Sequence, residues 1–221
     1  AADLTFGTST LVAKGGKPQV AKVSVDADQQ TTTFAFDKTL APGRYTLSID
    51  YAGTINTQAN GLFALDYPTE SGQKRALFTQ FENSDARRFV PSWDEPNFKA
   101  TFDLTVNAPS ADMVVSNMPE ASSKDIGNGM KQVVFQTSPK MSTYLLFLGL
   151  GEFERATLQA DNGRGKPVEI GVIAQKGKVE QARFALEGSR DVLREYNDYF
   201  GVPFPLPKLD NIAAPGRSQF F

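Results

Sequence analysis

Tyr45, Leu47, Ile49 and Tyr51 alternate with Arg44, Thr46, Ser48 and Asp50. That period of two suits an extended strand with one covered face and one wet face, because a helix would scatter the same apolar side chains around its axis. Shorter versions recur at Val20, Val23 and Val25, at Phe34 and Phe36, at Phe102, Leu104 and Val106, and at Val168, Ile170 and Val172. Turn formers punctuate them: the polar run Asp26 to Gln30, Ala41-Pro42-Gly43, and Asn128-Gly129, a hairpin signal. Leu62 to Tyr67 and Ala76 to Glu82 read as strands separated by a loop around Pro68 and Gly72. The run Thr143 to Phe153 is apolar on both faces and belongs in the middle of a domain. Roughly ten short strands at such spacings predict a mainly β fold, an antiparallel β-sandwich or a related open architecture.

The periodicity changes at Gly177. Val179, Ala182, Leu186, Val192, Leu193, Tyr196 and Phe200 recur at helical steps, and Gly201 with Pro203, Pro205 and Pro207 stops the helix. Leu209 to Ala214 then suits one more strand, broken at Pro215-Gly216, before the apolar end Phe220-Phe221. A helix and one strand cannot bury themselves alone. They read as a short α+β segment that begins a second, truncated domain, its apolar stripe in need of a partner surface.

Composition closes several functional classes. A net charge of -2 argues against nucleic acid or an anionic membrane surface as partner. No apolar run is long enough to span a bilayer. The chain has no cysteine, so disulfides and thiolate metal sites are excluded, and the compartment stays unknown: cytoplasmic, periplasmic and secreted all fit. It also has no histidine, the commonest metal ligand and the usual neutral-pH general base. Phosphate binding at Gly15-Gly16 or Gly163-Arg164-Gly165 is disfavoured, since neither precedes a helix.

Chemistry concentrates between Phe78 and Ala100, FTQFENSDARRFVPSWDEPNFKA. On an extended strand Gln80 and Glu82 point the same way, with Phe81 opposite. They have two readings: the solvent face of a half-exposed strand, or a fixed carboxylate that binds an ammonium group beside a neutral amide. Asp85, Arg87, Arg88, Asp94 and Glu95 follow. Two carboxylates so placed can serve as acid and base. An ion-paired loop is the better reading, because arginines would hold both carboxylates ionised; on that view Asp85→Asn acts through folding. Trp93 and the 17 phenylalanines read as core.

This stretch closely resembles the TQFE…DARR…P-x-x-DEP-x-FKA signature of the M1 (gluzincin) zinc aminopeptidases, and the final PLPKLDNIAAPGRSQFF resembles the segment that leads into that family's GAMEN motif. Ser92-Trp93 departs from the Cys-Phe common elsewhere in the family. The resemblance implies a saddle-like N-terminal β domain over residues 1–172, its first strands missing. Residues 173–221 would begin a thermolysin-like catalytic domain, truncated before GAMEN and HExxH. It implies that Glu82 helps bind the substrate's free amino terminus, that Gln80 lies beside the first side-chain pocket, and that the charged loop is scaffolding. The parent reaction would be zinc-assisted removal of one N-terminal residue from a peptide, with zinc and the rest of the catalytic domain supplied downstream. This segment itself is expected to hold no metal ligand and no catalytic residue, and to be inactive alone. The rival reading is a non-enzymatic β-sandwich module that binds peptide or carbohydrate.

Overall fold

The computed structural model describes residues 1–216. The fold is mostly β, with antiparallel sheets and one α-helix near the C-terminal end. The expected Phe220-Phe221 end lies outside the described residues.

Two compact units divide the chain. The first comprises Ala1–Phe63, Gln80–Phe98 and Ser142–Leu145. In it Leu4–Ala13 pairs antiparallel with Tyr45–Gly53, placing Phe6 opposite Tyr51 and Ala13 opposite Tyr45, with a bulge between Phe6 and Ser9. Lys22–Asp26 and Thr31–Ala35 form a hairpin. Its turn is the expected polar one, closed by the Gln29 N–H on Asp26 Oδ1 at 2.9 Å. Phe34 from this hairpin meets Phe6 edge-to-face at 5.9 Å. The alternating strand is present, but its apolar face is only partly covered: Leu47 is 37% and Tyr51 41% exposed.

The second unit comprises Ala64–Thr79, Lys99–Met141 and the chain from Leu146 onward. One sheet runs in the order Met113–Ser116, Leu148–Gly151, Gly72–Gln80, Gly61–Thr69. Leu148–Gly151 is therefore an inner strand, as its two-sided apolar run requires, whereas Thr143–Leu145 at the start of that run forms a 3-10 turn. Pro68 falls inside Gly61–Thr69 rather than in a loop. The strand lies at the sheet edge, the place in a sheet where proline is tolerated. Glu120–Gly127 and Met130–Phe135 form the expected hairpin, and Asn128 and Gly129 both take positive φ, as a two-residue turn matched to strand twist requires.

Pro167–Gln175 is the inner strand of the last sheet. It pairs antiparallel with Phe153–Asp161 and parallel with Lys208–Ile212. A parallel neighbour needs a crossover, and the helix Arg183–Phe200 provides it. Val168, Ile170 and Val172 pack with Ala182, Leu186 and Leu193. The helix ends at Gly201 in the left-handed conformation, the stop read from sequence. Its buried line differs from the expected stripe. Leu186, Leu193 and Asn197 face inward, while Val192, Tyr196 and Phe200 are exposed. Ala182, Leu186, Leu193 and Asn197 fall on one side at 100° per residue, with Val192 and Tyr196 beside it, whereas Phe200 lies in the same arc but is exposed as the last residue of the helix. Asn197 holds its inward place by accepting the Phe204 N–H at 2.9 Å, which fixes the chain after the helix.

Candidate functional site

The strand Gly72–Gln80 stops at Gln80, which is half-buried. Phe81 is buried against Phe89, with ring centroids 5.3 Å apart. Glu82 then lies in a turn, not on the strand as expected. The cause is local: the Asp85 N–H takes the Phe81 carbonyl at 2.9 Å, and Asn83, Ser84 and Asp85 are turn formers. The Glu82–Asn83 peptide is cis. Glu82 is exposed, and among the described residues its carboxylate has no hydrogen-bond or ion-pair partner. Gln80 and Glu82 thus flank one buried anchor, the first ending the strand and the second opening the turn.

The loop beyond them is tied down by ion pairs. Asp94, 6% exposed, accepts from the Arg87 backbone N–H and from Arg87 Nε, both at 3.0 Å on Oδ2. Its other oxygen accepts the Thr143 hydroxyl at 2.7 Å. Arg87 also donates to Gln30 Oε1 at 2.8 Å. Arg88 bonds Asp85 at 2.8 Å and pairs with Asp3. With both Asp94 oxygens engaged, an acid–base pair of Asp85 and Asp94 lacks a free partner, and the scaffolding reading stands. One detail differs from expectation. Burial, reinforced by the negative charge of Asp94, pushes the Asp85 carboxyl above its usual range, and Arg87 only partly offsets this.

Trp93 corrects a second expectation: it is 75% exposed rather than core. Between the bends at Ser92 and Glu95 it is Asp94 that is buried, while Trp93 and Glu95 are exposed.

Residues that sequence reading missed include Thr143 and Gln30, whose roles depend on segments distant in the chain. It also missed a charged cluster on the last sheet. Arg155 Nε donates to Asp210 Oδ1 at 2.8 Å, its Nη1 reaches Glu169 Oε1, and Lys208 Nζ pairs with Asp210 and donates to the Ser116 carbonyl at 2.7 Å. The available signal was Gly171, an isolated glycine inside an otherwise apolar strand, which marks close approach by a neighbour.

A zinc site does not fit the residues present. The sequence has neither histidine nor cysteine, and among the described residues no three carboxylates gather around a common point.

Residues 1–145 match the model of the peptidase M1 N-terminal domain. Over 200 residues the chain is 45% identical to aminopeptidase N of Acetobacter pasteurianus, covering 90% of this chain and 55% of that protein. Over 215 residues it is 38% identical to aminopeptidase M1-C of Oryza sativa subsp. japonica, covering 97% of this chain and 24% of the relative. Endoplasmic reticulum aminopeptidase 1 of Mus musculus is 35% identical over 190 residues. The chain thus spans about half the length of the first of these relatives and about a quarter of the second. No helix among the described residues is long and apolar enough to cross a membrane. Signature, β-rich fold and matched domain agree: the chain belongs to the M1 peptidase family.

Proposed function

We propose that this chain is the substrate-recognition portion of an M1 aminopeptidase that removes N-terminal residues from peptides. The carrying observation is Glu82: an exposed, unpartnered carboxylate set beside buried Phe81 and a loop pinned through Arg87 and Asp94. A carboxylate whose backbone is anchored by its neighbours and whose oxygens are uncommitted can receive a peptide's α-ammonium. A charge-assisted bond of that kind contributes about 1.5–3 kcal/mol, enough to select free amino termini and to set the register of the bound peptide. Gln80, half-buried at the strand end, offers a neutral donor and acceptor to the first side chain of the substrate. Residues 1–172 form the N-terminal β domain, and the elements from residue 173 begin the catalytic domain. The exposed Phe184, Tyr199 and Phe200 are consistent with further chain packing on that helix. Zinc, which would polarise the scissile carbonyl and activate water, is held by residues outside this chain.

Glu82→Gln, made in the enzyme expressed with its downstream sequence, tests this reading. The change keeps shape and removes charge. It should lower kcat/KM about tenfold to a hundredfold on free-amine peptides. The loss should be much smaller on N-acetylated ones. Equal losses on both substrates would reduce Glu82 to a support for the turn.

The chain by itself should neither hydrolyse peptides nor hold zinc tightly, for want of soft or imidazole ligands. Calorimetry should find no submicromolar stoichiometric zinc site. Finding one would place metal chemistry inside this segment.

A further inference from the structure

The dipeptide Asn-Gly occurs three times in the chain, at Asn60-Gly61, Asn128-Gly129 and Asn162-Gly163. Asparagine followed by glycine is chemically labile, because the glycine nitrogen, unshielded by a side chain, can attack the asparagine Cγ and close a five-membered succinimide. The reacting groups are the same at all three, so residue type alone does not rank them. Their folded surroundings do.

At Asn162 the reacting groups are held. Asn162 is 8% exposed, its Oδ1 accepts the Arg164 and Lys166 N–H groups at 3.0 and 3.1 Å, and its Nδ2 donates to the Phe204 carbonyl at 3.4 Å. The Gly163 N–H, which would have to react, donates to Asp161 Oδ1 at 2.7 Å, and a Cβ on Gly163 would lie 2.9 Å from Asn197 Cβ. At Asn60 the glycine is the obstacle. Gly61 is buried, and a Cβ there would lie 3.0 Å from Arg88 Cβ. The Asn60 N–H donates to the Gln58 carbonyl at 2.7 Å and its carbonyl accepts from Asn56 Nδ2 at 2.8 Å, which fixes the peptide that ring closure must rotate.

Asn128 lacks each of these restraints. Both turn residues are exposed, and a Cβ on Gly129 would meet nothing within 4 Å. The Ser110 N–H donates to the Gly129 carbonyl at 2.8 Å, but among the described residues neither the Asn128 amide nor the Gly129 N–H has a hydrogen-bond partner. The preceding strand, Glu120–Gly127, lies at a sheet edge and is exposed along its whole length, so the hairpin tip opens readily.

We propose that Asn128 is a site of spontaneous deamidation, with water as the co-reactant. The Gly129 nitrogen gives its proton to solvent base and forms a bond to Asn128 Cγ. The Cγ–Nδ2 bond breaks, and Nδ2 leaves as ammonia. Water then opens the succinimide at either carbonyl, giving aspartate or isoaspartate. Either product adds one negative charge to a chain of net charge -2. Isoaspartate also inserts a methylene into the main chain, which a two-residue turn matched to strand twist does not accommodate. The site is independent of Glu82.

The test is incubation of the folded chain in mildly alkaline buffer, followed by peptide mapping and enzymatic methylation of isoaspartate. The Asn128 peptide should convert at least about tenfold faster than the Asn60 and Asn162 peptides. In urea the three rates should converge, because the protection at Asn60 and Asn162 is structural. Asn128→Gly should abolish the fast component with little change in melting temperature, since glycine suits the φ of 54° at this position. Equal rates at the three sites in the folded chain, or Asn60 and Asn162 remaining slow in urea, would overturn the proposal. Aspartate formed at Asn128 without isoaspartate would mean direct hydrolysis of the side chain and would remove the succinimide step.

Discussion

Gly171→Ala should lower the stability of the chain by about 3–5 kcal/mol, the cost of breaking a buried charged network. A Cβ at this position would fall 2.0 Å from Asp210 Oδ1 and 2.5 Å from Arg155 Nε. Neither group has an easy escape. Asp210 sits opposite Gly171 on the parallel strand, is clamped by Arg155 and Lys208, and its side chain is 7% exposed. Burial works against the charge on Arg155, but Glu169 and Asp210 outweigh it and favour the protonated guanidinium. The added methyl therefore forces the clamp open. For a chain of this size the loss corresponds to roughly 6–20 °C in melting temperature. Calorimetry on Gly171→Ala, Asp210→Ala and the double variant checks the mechanism. With the carboxylate gone, Arg155 loses the partner that holds it at 2.5 Å from the new Cβ and can swing aside, so the double variant should be more stable than the sum of the single losses implies. Strict additivity would mean that the methyl strains the backbone and not the cluster.

Asp94→Ala should cost a similar amount, about 3–5 kcal/mol, because it leaves a charged Arg87 guanidinium, a backbone N–H and the Thr143 hydroxyl without their shared acceptor. Asp94→Asn retains one carbonyl oxygen and should cost less, about 1–3 kcal/mol. Asp85→Asn removes the charge that pairs with Arg88 at 2.8 Å, but burial already disfavours the ionised form of that carboxyl, so its cost should be smaller than that of Asp94→Ala. Urea denaturation of the three variants orders them. If Asp94→Ala falls within about 0.5 kcal/mol of wild type, the pinned-loop account fails. Applied to the enzyme with its downstream sequence, Asp94→Asn should reduce the active fraction without altering discrimination between free and blocked amines. That separates the scaffold from Glu82.

Much of this chain was legible from short-range pattern. The polar turn after Asp26, the hairpin at Asn128-Gly129 and the helix stop at Gly201 each rest on conformations set by one or two residues. Such signals survive in any tertiary context. The misreadings have two origins: alternation extended past Gln80, and an aromatic residue type taken as core. Glu82 left the strand because Asp85 captured the Phe81 carbonyl, and Trp93 is exposed while its neighbour Asp94 is buried. The helix showed a further limit. Its period was visible, but which side of a wide apolar arc turned inward was decided by the packing of Ala182, Leu186 and Leu193 on Val168, Ile170 and Val172.

The sequence by itself determined the β class, the helix and its end, and, through TQFE, DARR and DEP, the family and the candidate residues Gln80 and Glu82. These depend on residue type and spacing along one stretch of chain. Tertiary structure decided which charges are free and which are committed. Asp94 finds Thr143 49 residues away, Arg155 finds Asp210 55 residues away, and the Tyr67 hydroxyl is buried with no hydrogen-bond partner among the described residues. Pairing across such separations is governed by register and burial, which no local pattern carries, and it is this pairing that leaves Glu82 unengaged while its neighbours hold the loop.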